Sequence, residues 1–153
     1  MYQRILVPVD GSATSDKGLD EAIKLAKLTG ASLRLIHVVD VMMFANGFET
    51  YGAFADDVVP RMQEVGEKLV EQARSRVAAA GVKVDSVLFD TLALRVSDAV
   101  NEQARAWGAD LIVIGTHGRR GVGRFLLGSD AEQILRTAPV PVLLVRAPEE
   151  KIQ

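Results

Sequence analysis

Between Gly115 and Gly128 the chain reads GTHGRRGVGRFLLG, five glycines and three arginines in fourteen residues, followed at once by Ser129. An apolar run, Leu111-Ile112-Val113-Ile114, leads into this stretch, and a helical pattern leads out of it. A loop from the end of a buried strand to the start of a helix can wrap backbone N–H groups around an anion. Gly115 and Gly118 let the backbone approach a phosphate closely. Gly128 and Ser129 set a second anion position at the next helix N-terminus, where unpaired N–H groups and the helix dipole favour negative charge. Ser129-Asp130-Ala131-Glu132 is also a capping-box pattern, so Ser129 has a second role open to it as a helix cap. Arg119, Arg120 and Arg124 either neutralise phosphate charge or form a solvated basic loop. The stretch is not a P-loop, because no G-x-x-x-x-G-K-[ST] occurs, and it is not the dinucleotide fingerprint, which belongs after the first strand.

Two other strand ends carry residues suited to a ligand. The first reads Pro8-Val9-Asp10-Gly11-Ser12, the second His37-Val38-Val39-Asp40. Asp10 suits a ribose hydroxyl or a Mg2+-bound water. Its alternative is a turn or cap aspartate, with Ser12 and Thr14 as rivals for the cap. Pro8 has no N–H and sits in a run that reads as central, so either the strand ends there or its end is shaped for something other than ladder pairing. His37 and His117 are the only histidines and there is no cysteine, so the pattern shows no metal-ligand cluster; nothing pairs His117 with a nucleophile.

The elements that must position these residues alternate. Apolar runs lie at Ile5–Val9, Ser32–Val39, Val82–Phe89, Asp110–Gly115 and Val140–Val145. Those near residues 5, 111 and 140 are almost unbroken Ile, Leu and Val, as in strands buried on both faces of a parallel sheet. Between them, Leu19, Ala22, Ile23 and Ala26 give one helical stripe ending near Gly30. Met62, Val65, Leu69, Ala73 and Val77 give a longer one ending near Gly81. Val96, Ala99, Val100, Ala104 and Trp107 give a third, stopped by Gly108; Ile134 and Leu135 lie in a short fourth, closed by Thr137-Ala138-Pro139. The order β-α-β-α-β-α-β-α-β predicts a doubly wound α/β sheet with right-handed crossovers. In such sheets ligands bind at the carboxyl ends of the strands, where the strand order reverses. If the first and fourth strands are neighbours, the three strand ends meet in one crevice. Residues 40–56 show no clean period and read as part loop, part short helix. Their Met42, Met43, Phe44, Phe48, Tyr51 and Phe54 either cover a core edge or form a flap or partner surface.

Length and composition bound the rest. At 153 residues one domain is expected, residues 1–147, with 148–153 a C-terminal tail. A hydrophobic content of 48% and a charged content of 25% indicate a globular chain. The net charge of −2 gives no general attraction to nucleic acid or an anionic membrane, so neither is expected as a partner. No apolar run approaches the length of a membrane span, and the N-terminal run is too short for a signal peptide. A cytoplasmic protein is the expectation.

Taken together, G-x-x-G, nine residues, G-[ST] is similar to the ATP-binding signature of the universal stress protein family. The opening ILVPVDGS, the LIHVVD of the second strand, ADLIVIGTHG and the closing PVPVLLV resemble the family too, in order and over nearly the whole chain. The resemblance implies a five-stranded parallel, Rossmann-like sheet in the order 3-2-1-4-5 with about four helices. It implies a homodimer paired through the last strand, Val140–Val145. It places the chain with the members that bind ATP, or ADP or AMP, as a nucleotide-dependent regulator in stress response. Carried over position by position, Pro8, Val9 and Asp10 would flank adenosine, with Asp10 near ribose or Mg2+, and Val38 and Val39 would meet the adenine. Gly115, Thr116, His117, Gly118, Arg119 and Gly121 would line the phosphates, and Gly128, Ser129 and Asp130 would close the pocket. Asp130 departs from the small apolar residue frequent there; a carboxylate repels phosphate unless it points away or the arginines or Mg2+ offset it. An enzymatic reading, a slow ATPase or a nucleotidyl- or phosphoryl-transfer catalyst, and a reading as a protein-docking module in which nucleotide is incidental stand as alternatives.

Overall fold

The structure is a computed structural model that describes residues 1–40, 51–91, 95–116 and 127–146, giving the backbone alone at 40, 51–57 and 91. In chain order the elements are β1 (Arg4–Pro8), α1 (Ala13–Thr29), β2 (Ser32–Asp40), α2 (Tyr51–Ala79), β3 (Val84–Thr91), α3 (Val96–Trp107), β4 (Leu111–Gly115), α4 (Ser129–Thr137) and β5 (Val142–Val145). All pairings are parallel and the strand order is β3-β2-β1-β4-β5. This is the predicted 3-2-1-4-5 sheet, with four helices among the described residues.

The order follows from burial. Ile5, Leu6 and Val7 have no exposed surface, which only a central strand covered on both faces allows. Alternation then sends consecutive side chains to opposite layers. Ile5, Val7, Val9, Leu33, Leu35, Leu111 and Val113 pack with Leu19, Ala22 and Ala26 of α1 and with Val70 and Val77 of α2. Leu6, Ile36, Ile112 and Ile114 pack on the other face with Val100 and Ala104 of α3 and with Ala131 and Ile134 of α4. The chain reverses direction across the sheet between β3 and β4, so the switch point lies between β1 and β4.

Helix ends sit where the sequence placed them. Gly30 (φ 74°) and Gly108 (φ 70°) adopt the left-handed conformation and cap α1 and α3. The segment 40–56 differs from expectation: α2 starts at Tyr51 and runs unbroken to Ala79 through Pro60. Gly52 and the mixed apolar content around it concealed the first turns, although Tyr51, Phe54, Ala55 and Val58 fall at helical spacing with Met62, and the proline, which forfeits one backbone bond, does not end the helix. Residues 41–50, with Met42, Met43, Phe44 and Phe48, lie outside the described residues. At the other edge β5 starts after Pro141, whose carbonyl still accepts from the Ile112 N–H at 3.0 Å.

Beneath the sheet, away from the strand carboxyl ends, Arg34 joins three elements. Its Nε and Nη2 each donate to the Asp85 carboxylate of β3 at 2.7 Å, and its Nη1 donates to Gln103 of α3 at 3.3 Å. The guanidinium also lies 4.7 Å from the centre of the Trp107 ring. These bonds to the carboxylate raise the Arg34 pKa above its ordinary value.

Candidate functional site

The three strand ends named by the sequence do meet. β1 is hydrogen-bonded to β2 on one side and to β4 on the other, so Pro8–Asp10, Val38–Val39 and Gly115–Thr116 share the carboxyl edge of three adjacent strands. Register with β2 continues to Pro8↔Ile36, whereas register with β4 stops at Leu6↔Ile112. The Val9 N–H donates to the Ile36 carbonyl at 2.8 Å. Strand alternation therefore turns Pro8 toward β4, on the side where pairing has already ended. Its missing N–H costs no ladder bond there, which is how a proline sits in a central strand.

The turn after β1 is built from short polar side chains. Ser12 is the N-cap of α1, its Oγ accepting from the Ser15 N–H at 3.2 Å. Asp10 is the turn aspartate: its Oδ1 accepts from the Ser12 N–H at 2.8 Å. The Asp10 N–H in turn donates to the Ser15 Oγ at 3.1 Å. Of the roles open to Asp10, the turn role is thus realised, and Ser12 rather than Thr14 is the cap. Ser15, which the spacing did not single out, ties the turn to the helix.

The glycine-rich loop is anchored at its base. The Thr116 N–H donates to the Val145 carbonyl at 3.0 Å, and the Gly128 N–H donates to the Thr116 carbonyl at 2.8 Å. Strand end and helix start are thereby held together across the intervening loop. His117, Gly118, Arg119, Arg120, Gly121 and Arg124 lie in that loop, outside the described residues. The N-cap of α4 is Gly128, which has no side chain to bond the first turn; Ser129 is the first helical residue, so it is not the cap that its spacing allowed. Asp130 and Glu132 lie in that first turn, where the positive end of the helix favours carboxylates. Both Ser129 and Asp130 are exposed.

Gly115 has a packing role besides its place in the loop. A Cβ there would lie 2.6 Å from the Thr14 carbonyl oxygen and 3.0 Å from the Ser15 nitrogen. Val38 and Val39 face opposite layers. Val38 is half-buried toward α3 and α4, while the Val39 side chain is 3% exposed among Val58, Val59, Met62 and Leu88. His37, which precedes them and faces the same layer as Val39, is buried, and its Nδ1 lies 2.7 Å from the Val9 carbonyl oxygen. Sequence reasoning passed over His37 as a site residue; one polar residue inside Leu35-Ile36-His37-Val38-Val39 was the available signal.

Among the described residues no group of three or more His, Cys, Asp or Glu is placed to hold a metal ion, and no helix is long and apolar enough to cross a membrane.

Residues 1–146 match the model of the universal stress protein family. A universal stress protein of Methanocaldococcus jannaschii, MJ0531, is 32% identical over 151 residues, covering 99% of this chain and 86% of the relative. The crystal structure of a protein from the universal stress protein family of Burkholderia pseudomallei is 34% identical and superposes with a TM-score of 0.78 over 95% of this chain and 97% of its own. More distant in sequence are an Archaeoglobus fulgidus universal stress protein in complex with dAMP (21% identical, TM-score 0.70, 94% and 98% covered) and a universal stress protein in complex with cAMP (24%, 0.67, 95% and 97%).

Proposed function

The chain belongs to the universal stress protein family, and from that premise we propose that it holds ATP at the carboxyl ends of β1, β2 and β4 as a nucleotide-dependent regulator in stress response. One observation carries this reading. The Gly128–Thr116 hydrogen bond joins the end of β4 to an α4 start that lacks a side-chain cap, beside the point where β1 leaves its ladder with β4, and the glycine-rich stretch of the sequence lies between these two ends. Backbone N–H groups and a helix dipole are the means by which such a site takes phosphate. The complexes of fold relatives with dAMP and cAMP support an adenine nucleotide as the class of ligand.

In this reading Pro8, Val9 and Asp10 flank the adenosine, with Val38 meeting the adenine and Val39 lying beneath it as support. Gly115, Thr116, His117, Gly118, Arg119 and Gly121 surround the phosphates, closed by Gly128, Ser129 and Asp130. ADP and AMP would occupy the same site with fewer phosphate contacts. Mg2+ would come with the phosphates and meet Asp10, the carboxylate at the β1 end. Two chains would pair through the β5 edge, Val140–Val145, and the protein would work in the cytoplasm.

Native mass spectrometry of freshly purified protein, followed by calorimetric titration with ATP, ADP and AMP, tests this. The expected result is one adenine nucleotide per chain on a dimer, with ATP remaining intact during incubation with Mg2+. Absence of binding at millimolar nucleotide would overturn the reading, and catalytic turnover of ATP would replace the regulator with an enzyme.

A further inference from the structure

We propose that His37 is a positioning residue for the nucleotide, acting through the Val9 carbonyl rather than by touching the ligand. The registered β1–β2 ladder ends at Pro8↔Ile36. One residue further on, both backbone groups of Val9 are held by consecutive residues of β2. Its N–H donates to the Ile36 carbonyl at 2.8 Å, and its carbonyl accepts from the His37 Nδ1 at 2.7 Å. A carbonyl only accepts, so the proton lies on Nδ1 and the tautomer is fixed. A side chain thus supplies the donor at the point where β1 departs toward the ligand-facing turn.

The imidazole is itself confined. It points into the layer of α2, where Gly66 is buried directly behind it. A Cβ on Gly66 would lie 2.9 Å from the His37 Cδ2, 3.3 Å from its Nε2 and 3.1 Å from the Leu88 Cδ1. Glycine inside a helix gives up about 1 kcal/mol relative to alanine, so the position calls for a reason, and the ring provides one. α2 thereby presses on the ring, and the ring sets Val9. The next residue, Asp10, is held from its other side by Ser12 and Ser15 of the α1 cap. The Val9–Asp10 backbone, against which adenosine lies in the reading above, is therefore fixed from β2 and from α1 at once.

This inference rests on the proposed adenine-nucleotide site, and three variants of the full chain test it with AMP as probe. His37→Phe keeps a ring and removes the donor. His37→Asn keeps a donor at the Nδ1 position and gives up the ring. Gly66→Ala pushes the ring without altering it. Calorimetry should show His37→Phe and Gly66→Ala binding AMP about 3- to 10-fold more weakly, the loss expected for one hydrogen bond. His37→Asn should bind within about 3-fold of the wild type although it melts lower than His37→Phe, since a recovered donor outweighs lost packing for this readout. Affinities that follow melting temperature instead, or a His37→Phe that binds like the wild type, would overturn the proposal. If the wild type binds no adenine nucleotide, the functional reading fails, and positioning is read in the ligand-free protein. There the Asp10 and Gly11 amides must exchange faster in His37→Phe than in His37→Asn; equal exchange overturns the proposal on its own.

Discussion

The nearest heavy atom to a Cβ placed on Gly115 would be the Thr14 carbonyl oxygen, 2.6 Å away, with the Thr14 carbonyl carbon at 2.7 Å. The end of β4 and the first turn of α1 are therefore in backbone-to-backbone contact. The glycine that opens the loop is needed first for helix–strand packing. That contact also brings the β1–α1 turn, with Asp10 and Ser12, beside the base of the phosphate loop, so one close approach sets the spacing between two halves of the proposed site.

Gly115→Ala should destabilise the fold by about 1–3 kcal/mol or more, because the clashing atoms are backbone and cannot swing aside. Gly18→Ala is the control. Its Cβ would meet the Gly115 nitrogen at 3.3 Å, a milder approach, and the gain in helix propensity of about 1 kcal/mol offsets it. Urea unfolding of the two variants should separate them clearly. Equal stabilities would mean that the contact opens at no cost.

Gly128→Val should abolish ATP binding and leave the far-UV spectrum close to wild type, with a melting temperature lower by only about 2–4 °C, since valine is a poorer N-cap than glycine. Gly128 has φ −57° and ψ 148°, a conformation open to other residues, so the change adds bulk without backbone strain. In the proposed site its side chain would stand where phosphate approaches the helix start. Gly118→Val should act alike from within the loop. Calorimetry showing normal affinity in either folded variant would move the phosphates elsewhere.

Arg34→Lys should cost about 1–2 kcal/mol, nearly as much as Arg34→Met, because an ammonium cannot donate twice to Asp85 and also stack on Trp107. The pH sign is definite. The folded-state pKa is raised, so the contribution is present in full below the unfolded guanidinium pKa and is lost only as pH climbs through the folded value. The difference between wild type and Arg34→Met should therefore stay level from pH 7 to pH 10 as far as this guanidinium is concerned. A difference that shrinks over that range would point to another titrating group in the clamp.

Leu143→Arg should convert the proposed dimer to a monomer in size-exclusion chromatography with light scattering. β5 is a sheet edge with β4 on one side, and Leu143 is 36% exposed on it. Charge on an edge strand blocks strand-to-strand association while leaving the chain's own pairing to β4 intact. A variant that stays dimeric places the interface on another surface.

The doubly wound α/β class was readable because the burial of β1 and β4 on both faces leaves unbroken Ile, Leu and Val, and because Gly30 and Gly108 end their helices in a conformation that glycine favours; the strand order came from the family resemblance, since no local pattern says which strands are neighbours. The meeting of three strand ends at the candidate site was readable once β1 and β4 were taken as neighbours. The contacts of the site were less so. Asp10 and Ser12 share a turn that only coordinates distinguish from a ligand role, since a carboxylate at a strand end suits both. Gly115 met two demands, close ligand approach and close helix approach, which look identical as a letter. The bond from His37 to Val9 joins residues 28 positions apart, a relation no local pattern contains. The start of α2 was missed for another reason: Tyr51, Phe54, Ala55 and Val58 do fall at helical spacing with Met62, but Gly52 and the mixed apolar content of residues 40–56 hid them.

Asp10 shows how the structure alters an experiment. Asp10→Ala would remove any ligand contact and also the acceptor for the Ser12 N–H, so lost binding would have two explanations. Asp10→Asn keeps an oxygen at Oδ1 and removes the negative charge. If Asp10 meets Mg2+ on the phosphates, Asp10→Asn should weaken ATP binding in Mg2+ by about 10-fold or more while leaving binding in EDTA nearly unchanged, since a neutral amide is a poor ligand for a hard cation. If Asp10 accepts from a ribose hydroxyl instead, the loss should be smaller, about 3- to 10-fold, equal with and without Mg2+, and absent for 2′,3′-dideoxy-ATP. In both cases the melting temperature of the ligand-free variant should stay within about 3 °C of wild type, because the turn bond is retained. Unchanged affinity under every condition would confine Asp10 to its turn.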